Sequence, residues 1–147
     1  MANKLTKGFE DYLEAIYVLI EAKGYARTKD IAYQLRVSSP SVTEMLHRLE
    51  KDGLVEYERY APVRLTKKGE KIAKTVKTRH DTLTKFFKII NVEDATAEKD
   101  ACAVEHELSP ETLEKLTNFV EYVEDTPIKP KWLIDYKKYS KKAKVLG

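Results

Sequence analysis

The sequence has little of several features that would place it in an extracellular or membrane class. It has one cysteine, Cys102, which rules out an internal disulfide framework and is typical of a reducing cytoplasm. It has no apolar run near the ~20 residues that span a bilayer. The N-terminal stretch MANKLTKGFEDYLEAIY lacks the apolar core and small-residue cleavage site of a signal peptide. We therefore expect a cytoplasmic protein without a membrane partner.

What the sequence does have is charge arranged in blocks. The net charge is only +3 over 147 residues, a length that fits one domain or two small ones. Nine lysines or arginines stand against two acids over 64–88, and eleven acids against two lysines over 93–125. Seven lysines and one aspartate follow residue 126. The blocks suggest that one part of the molecule faces a polyanion, although solvated helix faces explain any single block as well.

Apolar residues recur at helical spacing along most of the chain. A first helix is predicted to end at Gly24, a short helix to begin at a cap on Thr28, and a third to begin at Ser39 and end at Gly53. The stretch LVEYERYAPVRLT alternates apolar and polar residues around a turn, which predicts a two-stranded hairpin. The later predicted helices span about 66–90, 95–107, 110–124 and 132–139.

The order helix, short helix, polar-faced helix and hairpin is that of a winged helix-turn-helix. Small hydroxyl residues at the start of the third helix can approach phosphates and base edges, and basic residues in the wing can contact phosphates. Glu44 repels phosphate but can accept a hydrogen bond from cytosine N4. The alternative is a three-helix protein-interaction domain. The candidate DNA-binding residues are Thr28, Ser38, Ser39, Pro40, Ser41, Thr43, Glu44, Arg48, Arg59 and Arg64.

The stretch DACAVEHEL carries a second kind of chemistry. A helix advances ~100° per residue, so Cys102, Glu105 and His106 would share one helix face. Thiolate, carboxylate and imidazole together suit late first-row divalent ions better than magnesium or calcium. Three ligands seldom suffice, so further donors are expected elsewhere in the chain.

Three other residues qualify as those donors. Asp11 and Glu14 are one turn apart on the flank of the first helix, and His80 is on the apolar face of the long helix. Each alone has a plain explanation, as a solvated helix start or as a core histidine, and Cys102 alone as a small buried hydrophobe. Together, the six residues predict a site for one ion, or for two ions that share carboxylates.

The motifs FEDYLEAIYVL, DIAYQLRVSSPSVTEMLHRLEKDGLV, LTKKGEKIA, RHDTLTKFF and CAVEHELS resemble the diphtheria-toxin-repressor family of metal-dependent transcriptional regulators. The resemblance covers residues 9 to about 124 and is to the short form of the manganese transport regulator branch, without an SH3-like third domain. It implies a homodimer that binds a palindromic DNA operator when loaded with Fe²⁺ or Mn²⁺, and that represses genes for uptake of the metal.

The resemblance carries over residue by residue. Cys102 stands where the manganese branch has glutamate, as in the iron branch, whereas the iron branch has methionine in place of Asp11. Iron-type ancillary ligands would be His80 and Glu98, but Thr84 stands where a glutamate is expected. The sequence thus leaves Fe²⁺ and Mn²⁺ open, with Co²⁺ or Zn²⁺ as substitutes in vitro. The positions that match the manganese branch are Asp11, Glu14, His80, Glu105 and His106.

The resulting prediction is a mainly α fold with a small β-hairpin wing. A winged helix-turn-helix would occupy 1–66, a helical metal-binding and dimerisation domain 67–125, and a basic tail 126–147. The expected partners are double-stranded operator DNA and a second copy of the chain, without a small organic substrate. An ion that joined the two domains would set the spacing of the paired reading helices.

Three other functions stay open from the sequence. The first is a winged-helix regulator that senses a small organic ligand or a partner protein. The second is a small metalloenzyme, which is disfavoured because the chain has no nucleophile elbow, phosphate loop or substrate-sized domain. The third is an architectural DNA binder, which the lysine-rich tail would permit.

Overall fold

Residues 6–143 of the computed structural model are described here, and they contain seven helices and one two-stranded sheet. By internal contacts the chain divides into two units, Met1–Lys77 and Thr78–Gly147. The predicted mainly helical fold with one small hairpin is confirmed. The elements are α1 Lys7–Lys23, α2 Thr28–Leu35, α3 Ser39–Lys51, β1 Val55–Glu56, β2 Arg64–Leu65, α4 Lys67–Ile89, α5 Asp94–Val104, α6 Pro110–Asp125 and α7 Lys131–Lys142.

The N-caps of α2 and α3 lie one residue earlier than predicted. Arg27, not Thr28, is the N-cap of α2, and its backbone N–H donates to Asp30 Oδ2 at 3.2 Å. Ser38, not Ser39, is the N-cap of α3, and its hydroxyl accepts from the backbone N–H of Ser41 at 3.3 Å. Both corrections put the predicted capping residue into the first helical turn, where its N–H has no partner within the helix.

A single apolar core holds the first unit together. Leu13 and Ile16 of α1 and Leu46 and Leu49 of α3 are all fully buried in it, as is Ile31 of α2. Each such side chain contributes roughly 1.5–3 kcal/mol by leaving water. The amphipathic spacing read from the sequence therefore becomes a three-helix core on which the wing is built.

The wing is antiparallel, with Val55 paired to Leu65. Its second strand is extended by a bridge in which the Val63 N–H donates to the Ala26 carbonyl at 2.7 Å. At its base, a Cβ on Gly69 would lie 1.9 Å from the carbonyl oxygen of Leu54, so only glycine permits this approach of α4. The predicted hairpin is confirmed.

The second unit differs from its sequence prediction at α5. This helix ends at Val104 rather than near 107, and the Glu107 N–H donates to the Val104 carbonyl at 2.9 Å in a following turn. In α6 the predicted cap is confirmed, because the Ser109 hydroxyl accepts from the Thr112 N–H at 3.2 Å.

The last helix packs on its own unit. Leu133 of α7 is buried, and the Asn91 side-chain amide donates to the Lys137 carbonyl at 3.1 Å. The Phe119 ring lies between those of Phe86 and Trp132, with centroids 5.9 and 6.2 Å away. The helical part of the basic C-terminal segment is thus a structural part of this unit. Over residues 6–143, none of the helices is long and apolar enough to cross a membrane.

Candidate metal centre and nucleic-acid interface

The second unit brings two histidines and two glutamates into one network. His80 of α4 lies with Nδ1 2.8 Å from Glu105 Oε2 and Nε2 2.7 Å from Glu98 Oε2. His106 Nε2 lies 3.3 Å from the other Glu105 oxygen, Oε1. The predicted ligands His80, Glu105 and His106 are therefore neighbours, joined by Glu98 of α5.

Burial makes this network unusual. Glu105 is 0% exposed and His106 is 4% exposed. Although His106 Nε2 is near Glu105 Oε1, that oxygen has no hydrogen-bond partner of acceptable geometry within the described residues. A buried carboxylate oxygen without a donor costs free energy, and a cation next to it would offset that cost. The donor set, two imidazoles and carboxylates, fits a divalent first-row ion.

Cys102 occupies a different environment from its predicted partners. It lies on α5, one turn before Glu105, and is exposed. Glu105 and His106, in contrast, belong to the turn after the helix end and are buried. Glu105 is the C-cap of α5 and keeps helical dihedral angles, so Cys102 and Glu105 differ in burial rather than in local backbone conformation. The role of Cys102 as a ligand stays a prediction.

In the first unit, Asp11 and Glu14 lie one turn apart on α1, and both are half-buried. They follow Glu10, which is buried. Carboxylates this close to an apolar core are typical either of a helix start or of a ligand pair. Their part in a metal site stays a prediction from the sequence.

The start of α3 presents the predicted DNA-reading surface. Ser39, Pro40, Ser41 and Glu44 are exposed, and Thr43 is half-buried. The hydroxyls of Ser38 and Ser41 are 2.8 Å apart, which orders this first turn. Exposed hydroxyls at a helix start suit phosphate and base contacts.

A groove of about 610 Å³ separates this surface from the wing. Three cations line it, Arg27, Lys29 and Arg59, together with Thr28 and His47. Arg27 and Lys29 were not among the predicted contacts, although they flank Thr28 in the sequence ARTKD. The groove has the charge required to hold a nucleic-acid backbone.

The start of α2, which carries two of these groups, is fixed by an ion pair. Lys23 Nζ donates to Asp30 Oδ1 at 3.0 Å. This hydrogen bond lowers the pKa of Asp30, with the backbone N–H of Arg27 adding to the effect, and it raises the pKa of Lys23. The charged forms of both side chains are therefore favoured, and the Asp30 carboxylate stays available to accept the hydrogen bond from the N–H of the N-cap Arg27.

Two predicted DNA contacts also have partners inside the unit. The Arg48 guanidinium lies 5.2 Å from the centroid of the Phe9 ring, and Arg64 Nη2 lies 3.5 Å from Glu56 Oε2 across the hairpin. Both arginines are exposed. A phosphate would compete with Glu56 for Arg64, whereas Arg48 can contact phosphate and keep its ring contact.

Sequence comparison identifies both units. Residues 4–63 match the family described as "Iron dependent repressor, N-terminal DNA binding domain", and residues 66–133 match "Iron dependent repressor, metal binding and dimerisation domain". The chain belongs to the iron-dependent repressor family. Membership confirms the predicted class, a metal-responsive regulator that binds DNA and dimerises rather than an enzyme.

Among curated relatives of this repressor-family chain are proteins named HTH-type transcriptional regulator MntR. The one from Shouchella clausii is 45% identical over 120 residues, which is 82% of this chain and 84% of the relative. The one from Bacillus subtilis is 42% identical over 137 residues, 93% of this chain and 94% of the relative. The resemblance read from the sequence is thus confirmed.

Solved structures of other proteins have a fold similar to that of this chain. One described as "Structure of the manganese regulator SloR" matches 86% of this chain with a TM-score of 0.69 and 31% identity. This chain spans only 58% of SloR's length. The structure of IdeR from T. acidophilum matches with a TM-score of 0.68 and 27% identity, covering 75% of this chain and 52% of that one.

Proposed function

We propose that this protein is a cytoplasmic, metal-dependent transcriptional repressor that binds a palindromic operator as a homodimer when loaded with Mn²⁺ or Fe²⁺. The genes it controls would serve uptake of the same metal. The observation that carries the proposal is the network of half-buried His80 with buried Glu105 and His106, in a chain that also presents a DNA-reading helix and a cationic groove.

The proposed ligands are those whose geometry or family position supports the role. His80, Glu105 and His106 have the geometry described above, and Asp11, Glu14 and Cys102 are added by their positions in the family motif. A bound divalent cation supplies the positive charge that Glu105 Oε1 otherwise lacks. A carboxylate lies at each ring nitrogen of His80. One carboxylate can therefore orient the ring by a hydrogen bond to one nitrogen, while the other nitrogen binds the metal. Glu98 is then an orienting residue or an additional ligand.

Metal occupancy and operator binding are linked in this proposal. If metal raises the affinity for the operator by some factor, the operator raises the affinity for metal by the same factor. A cation that orders the ligand network reduces the conformational freedom of the protein before the operator binds. The entropic cost of operator binding is then smaller. The first unit supplies the DNA contacts, through the α3 start and the groove beside it.

The choice of metal rests on two features that point in different directions. The relatives at 41–45% identity carry the name of a manganese regulator branch, which supports Mn²⁺. A thiolate from Cys102 would instead favour Fe²⁺, Co²⁺ or Zn²⁺ over Mn²⁺. Since Cu²⁺ and Zn²⁺ bind most such donors more tightly, coordination number rather than raw affinity must select the metal.

The decisive experiment is an anaerobic gel shift with Fe²⁺, Mn²⁺, Co²⁺ and Zn²⁺, paired with metal stoichiometry per subunit. We expect operator affinity to rise with Mn²⁺ or Fe²⁺ and to fall when a chelator is added. DNA affinity that saturating Mn²⁺ and Fe²⁺ leave unchanged would reject the proposal. Metal-independent operator binding would favour the regulator controlled by an organic ligand.

A further inference from the structure

The second unit has a groove with an excess of positive charge. Its volume is about 250 Å³, and its lining residues come from α4, α6, α7 and the connection between α6 and α7. Four lysines, one glutamate and three apolar residues line it, which gives it a net charge of +3. We call it the lysine groove, after Lys85, Lys88, Lys129 and Lys137.

Carboxylates balance little of this charge. Lys85 Nζ lies 3.3 Å from Glu124 Oε2, and this is the one ion pair that the four lysines make with residues 6–143. Lys129 Nζ donates instead to the Val123 carbonyl at 3.1 Å, so a neutral group holds it at the groove. The other two lysines have no carboxylate partner over the same residues. Like charges that line one small groove repel one another, and an anion placed among them would offset that cost.

Folding, rather than sequence, brings these lysines together. Residues 93–125, which include α5 and α6, hold eleven acids and two lysines, and neither of those lysines lines the groove. The groove lysines come from α4 before this acidic segment, and from α7 and its connection after it. Positive charge is thus concentrated at one place, whereas lysines on solvated helix faces alternate with acids.

Buried apolar side chains complete the lining. Val123 and Leu133 are each 2% exposed, and Ile89 is half-buried. A concave site that combines apolar side chains with a few charged groups is typical of small-molecule sites rather than of a flat surface for a polyanion. The groove is smaller than the ~300–1,000 Å³ of sites for drug-sized ligands, so it fits a small metabolite better than a peptide or a nucleic-acid strand.

We propose that the lysine groove binds a small organic anion with at least two negative charges. Lysine ammonium groups pair with the oxygens of phosphates and of carboxylates, so either group would supply the charge. The buried apolar residues would contact the carbon skeleton of the ligand. None of the lining residues is a proposed metal ligand or a predicted DNA contact, so the site goes beyond the proposed function. By binding lysines of α4 and α7 at once, the anion would stabilise the packing of α7 on its unit.

The test uses the full chain without metal, because anionic probes of this kind chelate divalent cations. The probes are adenosine diphosphate, pyrophosphate and citrate, compared at one ionic strength by titration calorimetry and thermal melts. Pyrophosphate has the charge without a carbon skeleton, and citrate has carboxylates in place of phosphates. We expect adenosine diphosphate or citrate to bind at one site per subunit, more tightly than pyrophosphate, and to raise the melting temperature. The probe that binds identifies the charged group of the ligand.

Substitutions of lysine locate the site. Lys88→Gln and Lys137→Gln each remove one charge from the groove, and each should weaken binding of the organic probe about fivefold. Without a probe, both variants should melt at or above the temperature of the wild type, because repulsion within the groove is smaller. Lys138→Gln and Lys141→Gln are the matched controls, since both lysines are exposed on α7 but do not line the groove. The controls should bind the probe like the wild type.

Three results would overturn the inference. The first is that neither organic probe binds saturably and more tightly than pyrophosphate. The second is equal weakening in the groove variants and in the controls, since the probes would then respond to overall charge. The third is failure of both organic probes together with weaker operator binding by Mn²⁺-loaded Lys88→Gln, which would assign the groove to DNA. Because the titrations are made without metal, their failure would leave the proposed function standing.

Discussion

In residues 6–77 the buried side chains form one apolar cluster that runs from Phe9 to Ala73, whereas in residues 78–143 a glutamate and a histidine are among the most buried groups. Of the buried polar residues in the described chain, only Glu10 belongs to the first unit. The others, all in the second unit, are Thr82, Thr84, Glu105 and His106.

The contrast extends to the surface. Among the described residues the second unit exposes seven large apolar side chains, Tyr122, Ile128 and Trp132 among them, and the first unit exposes four. Most of the second unit lies within residues 66–133, which match a metal-binding and dimerisation domain. We expect the second unit, with its small apolar core and buried carboxylate, to gain more stability from what it binds, because a ligand that binds only the folded form stabilises it. The first unit depends mainly on its own core.

The largest effect is expected from a substitution in the first unit. Gly69→Ala puts a Cβ against the Leu54 carbonyl, and we expect the free energy of unfolding to fall by about 3 kcal/mol or more. Gly8→Ala is the matched control, since its Cβ would meet only side-chain atoms at ordinary contact distance, the Met45 methyl at 3.7 Å and Thr6 Oγ1 at 3.9 Å. Urea unfolding followed by circular dichroism measures both, and equal midpoints would refute the expectation.

The next prediction addresses the ligand-dependent unit. Glu105→Gln keeps the shape of the side chain but removes its charge, so Mn²⁺ affinity should fall about a hundredfold or more. The unfolding temperature without metal should stay level or rise, because a buried carboxylate with one oxygen lacking a hydrogen-bond donor is replaced by a neutral amide. Calorimetric titration and thermal melts test this, with exposed Glu107→Gln as control. Unchanged Mn²⁺ affinity in Glu105→Gln would remove this residue from the site.

A smaller effect concerns the identity of the metal. Cys102→Glu restores the residue that the manganese branch has here, and it should shift activation from Co²⁺ or Fe²⁺ toward Mn²⁺ on the order of tenfold. Anaerobic DNA-binding titrations with each metal measure the shift. Identical metal profiles for the two proteins would mean that Cys102 is not a ligand.

The smallest effect is expected from a substitution in α2 of the first unit. Asp30→Asn removes the charge that holds Lys23, and should lower the melting temperature at pH 7 by about 2 °C. Because the pKa of Asp30 is lowered in the folded state, its contribution is full above its unfolded pKa of about 3.9 and disappears as pH falls through the folded pKa. The difference between the two melting temperatures should therefore shrink as pH falls below the unfolded pKa and through the folded pKa of Asp30. A constant difference between their melting temperatures across that range would contradict the linkage, and Asp52→Asn serves as a neighbouring control.

Most of the fold was accessible to sequence reasoning, because the apolar spacing of α1, α3 and α4 is regular and Ser109-Pro110 marks a helix start. The misplaced caps at Thr28 and Ser39 have a local cause. In each case either of two adjacent residues can be the N-cap. Which residue is the N-cap depends on which backbone N–H donates a hydrogen bond to the Asp30 carboxylate or to the Ser38 hydroxyl. Residue type and spacing predict the candidate ligands, but a face shared by Cys102, Glu105 and His106 requires a helix that continues to residue 106, whereas α5 ends at Val104 with Glu105 as its C-cap.

By itself, the sequence determined the order of helices and wing, the family, and the presence of donors suited to a transition metal, since periodicity and residue chemistry are local properties. Only the tertiary structure decided that Glu105 and His106 are buried in a turn while Cys102 is exposed on a helix. It also decided that the Arg27 guanidinium donates to the Tyr60 carbonyl in the wing. Burial and contacts between residues distant in sequence depend on how elements pack, and no local pattern encodes that packing.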